Sequence, residues 1–201
     1  MFRNDPQSVL TGEVRCSYVH LVEPRATLNG DLKYQVTLLI PKSDTATKAE
    51  IDSAIAAAAT AAVNTKWNGT RPQNIPVVIH DGDGARPSGE PFGEECKGCW
   101  VMTASSNNKP EVVGMDNVRA PLPPTDIYSG MYARVTIRFY GYSAGGKKGV
   151  ACGLGNVMKT RDGDSLTGRT TAASDFAEFA NGGASATPQP AINPITGQPI
   201  A

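Results

Sequence analysis

The chain reads as a mainly β protein with one α-helix, a small antiparallel barrel followed by a disordered C-terminal tail. Three observations predict this. The 201 residues contain 21 Gly and 15 Pro, a density of turn formers that suits many short strands and not a helical bundle. Several runs alternate apolar and polar residues with period two, while only one stretch carries a helical period. From Thr167 onward the composition shifts to Gly, Ala, Thr, Pro and Gln, too poor in core formers to fold.

The expected organisation is an N-terminal arm over 1–12, a domain over 13–166 and a tail over 167–201. Glu13 to Val22 reads as the first strand, ended by Glu23-Pro24. Leu28-Asn29-Gly30-Asp31 is a turn signal, and Leu32 to Ile40 is its hairpin partner, stopped by Pro41. The helix falls at about 44–67. Thr47-Lys48-Ala49-Glu50 has capping-box spacing. Ile51, Ala54, Ile55, Ala58, Ala62 and Val63 then recur at three and four, forming a narrow apolar stripe. Trp67-Asn68-Gly69 closes the helix, with Trp67 sealing its end. Arg71 to Phe92 is loop-rich around the apolar run Ile75 to Ile79. Cys99 to Ala104 is a strand, Ser105 to Pro110 its turn, and Glu111 to Gly114 the start of the return. A proline-rich connection spans Asn117 to Thr125. Val150 to Met158 pairs back on the strand before it, with Gly153 and Gly155 opening gaps in its face. Asp175 to Phe179 has the look of a single helical turn within the tail.

The strand on which the function rests runs from Ser129 to Tyr142. Met131, Ala133, Val135, Ile137 and Phe139 fall on one face, an ordinary sheet core. Tyr132, Arg134, Thr136, Arg138, Tyr140 and Tyr142 fall on the other. Exposed rings alternating with arginines suit a ligand with flat bases and a phosphate track, which single-stranded nucleic acid provides. The glycine loop Ser143 to Gly149 adds Lys147 and Lys148, and Lys159 and Arg161 follow. Between Met131 and Arg161 there is no carboxylate. Arg15, Lys33, Tyr34 and Trp100 could extend this basic, aromatic surface, on faces that the strand register decides. The competing reading is a strand whose tyrosines cover a loop and whose arginines meet carboxylates from elsewhere in the chain.

The formal net charge is zero, so any nucleic-acid binding comes from a patterned face and not from bulk charge. No apolar run approaches the ~18 residues of a membrane span, and the start MFRNDPQ does not resemble a signal peptide. A soluble, intracellular protein is expected. Cys96-Lys-Gly-Cys99 has the spacing of half a zinc knuckle, but Cys16 and Cys152 are isolated and neither His20 nor His80 has a partner at ligand spacing. Free thiols are expected, with no metal and no cofactor. Asp81-Gly-Asp83-Gly lacks the later acidic positions of a calcium loop and reads as a solvated turn, as does Asp162-Gly-Asp164. No phosphate-cradling GxxxxGK[ST] loop occurs.

Two strands, a helix, then two hairpins fit an OB-type barrel, whose strand face and loops bind single strands. The segments LKYQVTLLIPKSD, WVMTASSNNKP, IYSGMYARVTIRFYGY, GKKGVACGLGNVMKTRDGDSLTGR and SDF resemble a family of tailed-bacteriophage and prophage proteins. Members of that family are understood as OB-fold single-stranded-DNA-binding proteins. The likeness covers about Val14 to Phe179, and the YSG…R…FY…KG-ACGL-N block is its most specific part. It implies a non-enzymatic protein that coats single-stranded DNA, without strong sequence preference, during phage replication or recombination in the cytoplasm of the infected bacterial host. Phage replication or recombination proteins would be further partners, and self-association stays open. Unlike many bacterial single-strand binders, the chain has no acidic residue near its end, ITGQPIA. Two other readings stand beside this one. A virion β-barrel component would ignore DNA, and a metal-dependent nuclease would need Asp81 or Asp83.

Overall fold

The computed structural model describes residues 2–27, 30–76 and 78–167. The expected tail, its Asp175–Phe179 turn and the Leu28-Asn29 turn residues lie outside the described residues. The chain is mainly β with one helix. Its elements are β1 (Ser8–Leu10), β2 (Val14–Ala26), β3 (Leu32–Pro41), α1 (Thr45–Thr65), β4 (His80–Asp81), β5 (Cys99–Ser106), β6 (Val112–Gly114), β7 (Tyr132–Ala144) and β8 (Lys147–Arg161). Five of the strands pair in a ring that resembles an OB-type single-strand-binding fold. β7 pairs β2, β2 pairs β3, β3 pairs β5, β5 meets β8 in parallel, and β8 returns to β7. No helix among the described residues is long and apolar enough to cross a membrane.

Alternation explains the core. Val36, Leu38 and Ile40 of β3, Met102 and Ala104 of β5, and Ala133, Val135, Ile137 and Phe139 of β7 all point inward and are buried. α1 lays Ile51, Ala54, Ala58 and Ala62 against them. Gly141 of β7 admits the helix, because a Cβ there would collide with that of Ala62. The helix starts ahead of the Thr47 capping box, within the expected 44–67. Asp44 is the cap, its carboxylate accepting Thr47 N–H at 3.0 Å, while the buried Thr47 hydroxyl accepts Gly12 N–H at 2.8 Å. Trp67 is fully buried at the other end, as the sequence suggests.

Two boundaries differ from the sequence expectation. β2 runs through Pro24 to Ala26, because its register shifts between His20 and Arg25 and the ladder needs no N–H from the proline. The loop expected over Ser143–Gly149 shrinks to Gly145-Gly146. Both have positive φ, 56° and 76°, as a two-residue primed turn demands, so β7 and β8 pair right up to Ala144 and Lys147. Within the loop-rich stretch expected over Arg71–Phe92, strand pairing begins at His80, opposite Val101 of β5.

The N-terminal arm is held to the sheet as β1, paired with β7 from Ser8↔Arg138 to Leu10↔Thr136. Asp5 anchors it. Its carboxylate accepts Gln7 N–H and the Ser8 hydroxyl and faces Arg138, which together hold its pKa at about 2. The folded value lies below the unfolded one, so this contribution is complete above about pH 4 and lost as pH falls towards 2. Amide exchange at Ser8–Leu10 should therefore accelerate, relative to intrinsic rates, between pH 4 and pH 2. An Asp5→Asn variant should lack that pH step; a step of the same size in the variant would place the anchor elsewhere.

Candidate nucleic-acid interface

The outward row of β7 is as the alternation requires. Arg134, Arg138 and Tyr140 are exposed, Tyr132, Thr136 and Tyr142 are half-buried, and all six face away from the core. At about 3.3 Å per residue the row spans roughly 33 Å. Across the ladder, β8 answers with small residues: Tyr142 stands opposite Gly149, Tyr140 opposite Ala151 and Arg138 opposite Gly153. A Cβ at Gly149 would sit 2.6 Å from the Tyr142 hydroxyl, and one at Gly153 would touch the Tyr140 ring at 3.4 Å. These glycines let the rings lie low over β8.

Arg138, Arg161 and Lys159 do meet carboxylates, brought from outside the carboxylate-free stretch. Arg138 pairs with Asp5 at 2.9 Å, Arg161 with Glu13 at 2.9 Å, and Lys159 with Asp162 at 2.7 Å. The Thr160 hydroxyl and Arg161 together hold the Glu13 carboxyl below its ordinary pKa. The Arg138 and Arg161 side chains remain more than half exposed. Solvent screens such surface pairs, so a phosphate can replace the carboxylate at little cost. Tyr132 is different, because the Arg161 guanidinium lies 3.4 Å from its ring centroid and that of Arg15 lies 5.9 Å away. Tyr140, 39% exposed, is the most open ring of the row. Lys147 stands exposed at the hairpin tip.

Other candidates lie elsewhere. Lys148 donates to the Trp67 carbonyl at 3.1 Å, and Lys159 reaches the Asp126 carbonyl over the Tyr128 ring. Arg15 and Lys33 share the outward side of the β2–β3 pair with Thr37. Tyr34 and Trp100 fall in the core phase of β3 and β5, and Trp100 carries the Lys48 ammonium 4.7 Å and the Lys42 ammonium 5.2 Å from its ring centroid.

Sequence reasoning missed a groove of about 320 Å³ outside β2, β3 and β5. Thr37 and Thr103 form its floor, with their hydroxyls 3.1 Å apart. Phe92, His80 and Arg86 form one wall. The His80 and Phe92 rings are 6.3 Å apart, and the Arg86 guanidinium is 5.6 Å from the Phe92 centroid. Tyr18 stands at the opposite side, 52% exposed and with φ of 47°, where β2 shifts register between Ser17 and His20. The break of alternation at Ser17-Tyr18 was the available signal.

The Asp81-Gly-Asp83 turn builds that wall. The Lys42 ammonium sits between the two carboxylates, 2.5 Å from Asp81 and 2.6 Å from Asp83, and both have lowered pKa values because of it. Gly82 N–H donates to Cys99 C=O, and Asp83 accepts Gly98 N–H, locking the turn onto the Cys96–Cys99 loop. Burial pushes the Cys96 thiol up to about 11 and raises that of Cys99.

Known proteins resemble this chain in sequence and in fold. The family described as "Enterobacter phage Enc34, ssDNA-binding protein" matches residues 7–185. Protein p50 of Acyrthosiphon pisum secondary endosymbiont phage 1 is 32% identical over 167 residues, covering 77% of this chain and 84% of p50. The single-stranded DNA-binding protein of bacteriophage Enc34, solved in complex with ssDNA, superposes with a TM-score of 0.67 at 30% identity, over 80% of this chain and 89% of that one. The single-stranded DNA binding protein encoded by bacteriophage T7 shares the fold alone, with a TM-score of 0.55 at 15% identity over 85% of this chain and 93% of that one. With a match over most of its length, the chain belongs to the Enterobacter phage Enc34 ssDNA-binding protein family.

Proposed function

We propose that this protein binds and protects single-stranded DNA, without strong sequence preference, during phage DNA replication or recombination in the host cytoplasm. It acts as a binding protein and not as an enzyme. The ring of five strands is read as an OB-type barrel over 13–166, buttressed by the N-terminal arm. Bases stack on exposed rings, Tyr140 foremost, while Arg134, Arg138 and Lys147 take phosphates. The observation that carries this reading is the likeness to the Enc34 protein solved with ssDNA, at 30% identity over 80% of this chain. The row on β7 supports it with open rings and exchangeable ion pairs.

The test is a titration of labelled oligo-dT by anisotropy at several salt concentrations, with a duplex as competitor. Affinity should fall by ~0.7 logarithmic units per decade of salt for each phosphate contact, and duplex should compete poorly. No saturable binding, or equal binding of duplex, would sink the reading. The two hairpin lysines should separate in the same assay. Lys147→Ala should lower the salt slope by about 0.7, whereas Lys148→Ala should leave it unchanged, because that ammonium is held by the Trp67 carbonyl. An unchanged slope in Lys147→Ala removes the tip from the phosphate track.

A further inference from the structure

We propose that Cys96 and Cys99 are a redox-active thiol pair, which closes into a disulfide by exchange with a low-molecular-weight disulfide and so locks the turn where β3, β5 and the Asp81–Asp83 turn meet. It does not depend on the single-strand reading above. All four cysteines are free in this structure.

The backbone has the geometry for it. Lys97 has φ of −59° and ψ of 138°, and Gly98 has φ of 68°. Those values belong to the two central residues of a type II turn, whose ends are then Cys96 and Cys99. The Cα atoms at the ends of a β-turn stand less than ~7 Å apart, and a disulfide spans ~4.4–6.8 Å. The side chains also share a direction. Cys96 and Cys99 both pack in the small outer cluster with Leu39 and Val101, on one side of the turn. Burial holds the Cys96 thiol up, and the nearby Cys99 adds to the effect. Access is unequal, because Cys96 is 4% exposed whereas Cys99, at the start of β5, is only half-buried. Cys99 is therefore the attacking thiol and Cys96 the resolving one.

The Cys99 thiolate attacks one sulfur of the small disulfide, forming a mixed disulfide and expelling the other half as a thiolate. The Cys96 sulfur then attacks the Cys99 sulfur, the Cys96–Cys99 bond forms and the second half leaves. Two electrons pass from the pair to the small disulfide, and the two cysteine protons end on the two small thiols released. The Cys96 S–H donates to the Glu95 carboxylate at 3.8 Å, an acceptor for its proton on the way out. With both thiols held above their ordinary pKa by burial, the exchange is slow near neutral pH and the pair is no catalytic centre. The same lack of a stabilised thiolate makes the disulfide durable once formed. Cys16 and Cys152, buried in β2 and β8, have no cysteine at turn spacing and stay reduced. The lock acts on a junction. Lys42 N–H donates to Gly98 C=O at 2.9 Å, Gly98 N–H to the Asp83 carboxylate at 2.8 Å and Gly82 N–H to Cys99 C=O at 2.9 Å. A Cβ at Gly82 would collide with the Cys96 carbonyl, so the Asp81–Asp83 turn sits directly on the pair. Closing the ring fixes the type II turn and, through these bonds, the end of β3 and the acidic turn.

The experiment treats the full chain, reduced and freed of reductant, with oxidised glutathione between about pH 7 and pH 9. Two of the four thiols should be lost. The intact mass should fall by about 2 Da, and the rate should rise by about tenfold per pH unit, as thiolate attack requires. After alkylation, the peptide holding Cys96 and Cys99 should be unmodified, with Cys16 and Cys152 alkylated. Cys96→Ala should stop at the mixed disulfide, gaining about 305 Da, whereas Cys99→Ala should leave Cys96 unreacted. In the oxidised parent the amides of Lys42, Gly82 and Gly98 should exchange more slowly than in the reduced one. Four thiols still titratable at the end, glutathione retained on the parent, disulfide-linked dimers, or unchanged exchange at those three amides each overturns the proposal.

Discussion

Trp67→Ala should lower the unfolding free energy by about 3–5 kcal/mol, a large share of the ~5–15 kcal/mol that holds a typical domain folded. The side chain is fully buried where α1 ends under the β7–β8 hairpin. Its indole N–H donates to the Tyr142 carbonyl at 2.9 Å, and its own carbonyl accepts the Lys148 ammonium. Truncation therefore creates a large cavity and leaves the Tyr142 carbonyl unpaired, each a named source of severe loss. Trp67→Phe keeps most of the volume and loses only the donor, so it should cost about 1–3 kcal/mol. Urea unfolding followed by circular dichroism gives both values. A loss below about 1 kcal/mol in Trp67→Ala would mean that the helix end collapses onto the hairpin without the indole.

That clamp was half legible. The sequence shows a tryptophan just before an Asn-Gly helix stop, but not that its N–H reaches a residue 75 positions away. The same division runs through the site. On β7 the alternation is strict, so each of the ten residues from Met131 to Tyr140 could be assigned to a face without a partner strand. On β3 it is not. Leu38, Leu39 and Ile40 are consecutive apolar residues, and Leu39 belongs to a small outer cluster with Cys96 and Val101. The phase of Tyr34, and of Trp100 across the ladder, then depends on register, which the sequence does not state. The ion pairs were hidden for a related reason. Asp5 lies 133 residues before Arg138 and Glu13 lies 148 before Arg161, so only the closed ring brings them together. The groove was the least legible. Its wall comes from a loop that pattern reading treats as solvated, and Tyr18 enters it only because a bulge breaks the period of β2.

Tyr140→Ala should weaken oligo-dT binding by roughly tenfold or more, since stacking one base on an aromatic ring is worth ~1–3 kcal/mol and a decade of affinity is ~1.4 kcal/mol. The fold should survive. Tyr140 points outward from a strand whose inward neighbours, Phe139 and Ile137, keep the core, and no hydrogen bond of its hydroxyl is lost among the described residues. The salt slope should not move, because no phosphate contact is removed. Tyr140→Phe should bind like the parent, because the ring and not the hydroxyl offers the surface. Tyr132→Ala should affect binding less, as its ring already carries the Arg161 guanidinium at 3.4 Å and a base would have to displace it. What separates stacking from charge is therefore the order of the three variants as well as the size of the effect. A basic track alone would leave Tyr140→Ala at parental affinity and would hold duplex as well as single strand. If Tyr140→Ala folds and binds like the parent, the rings of β7 merely cover the glycines of β8, and the aromatic half of the interface must lie elsewhere on the sheet.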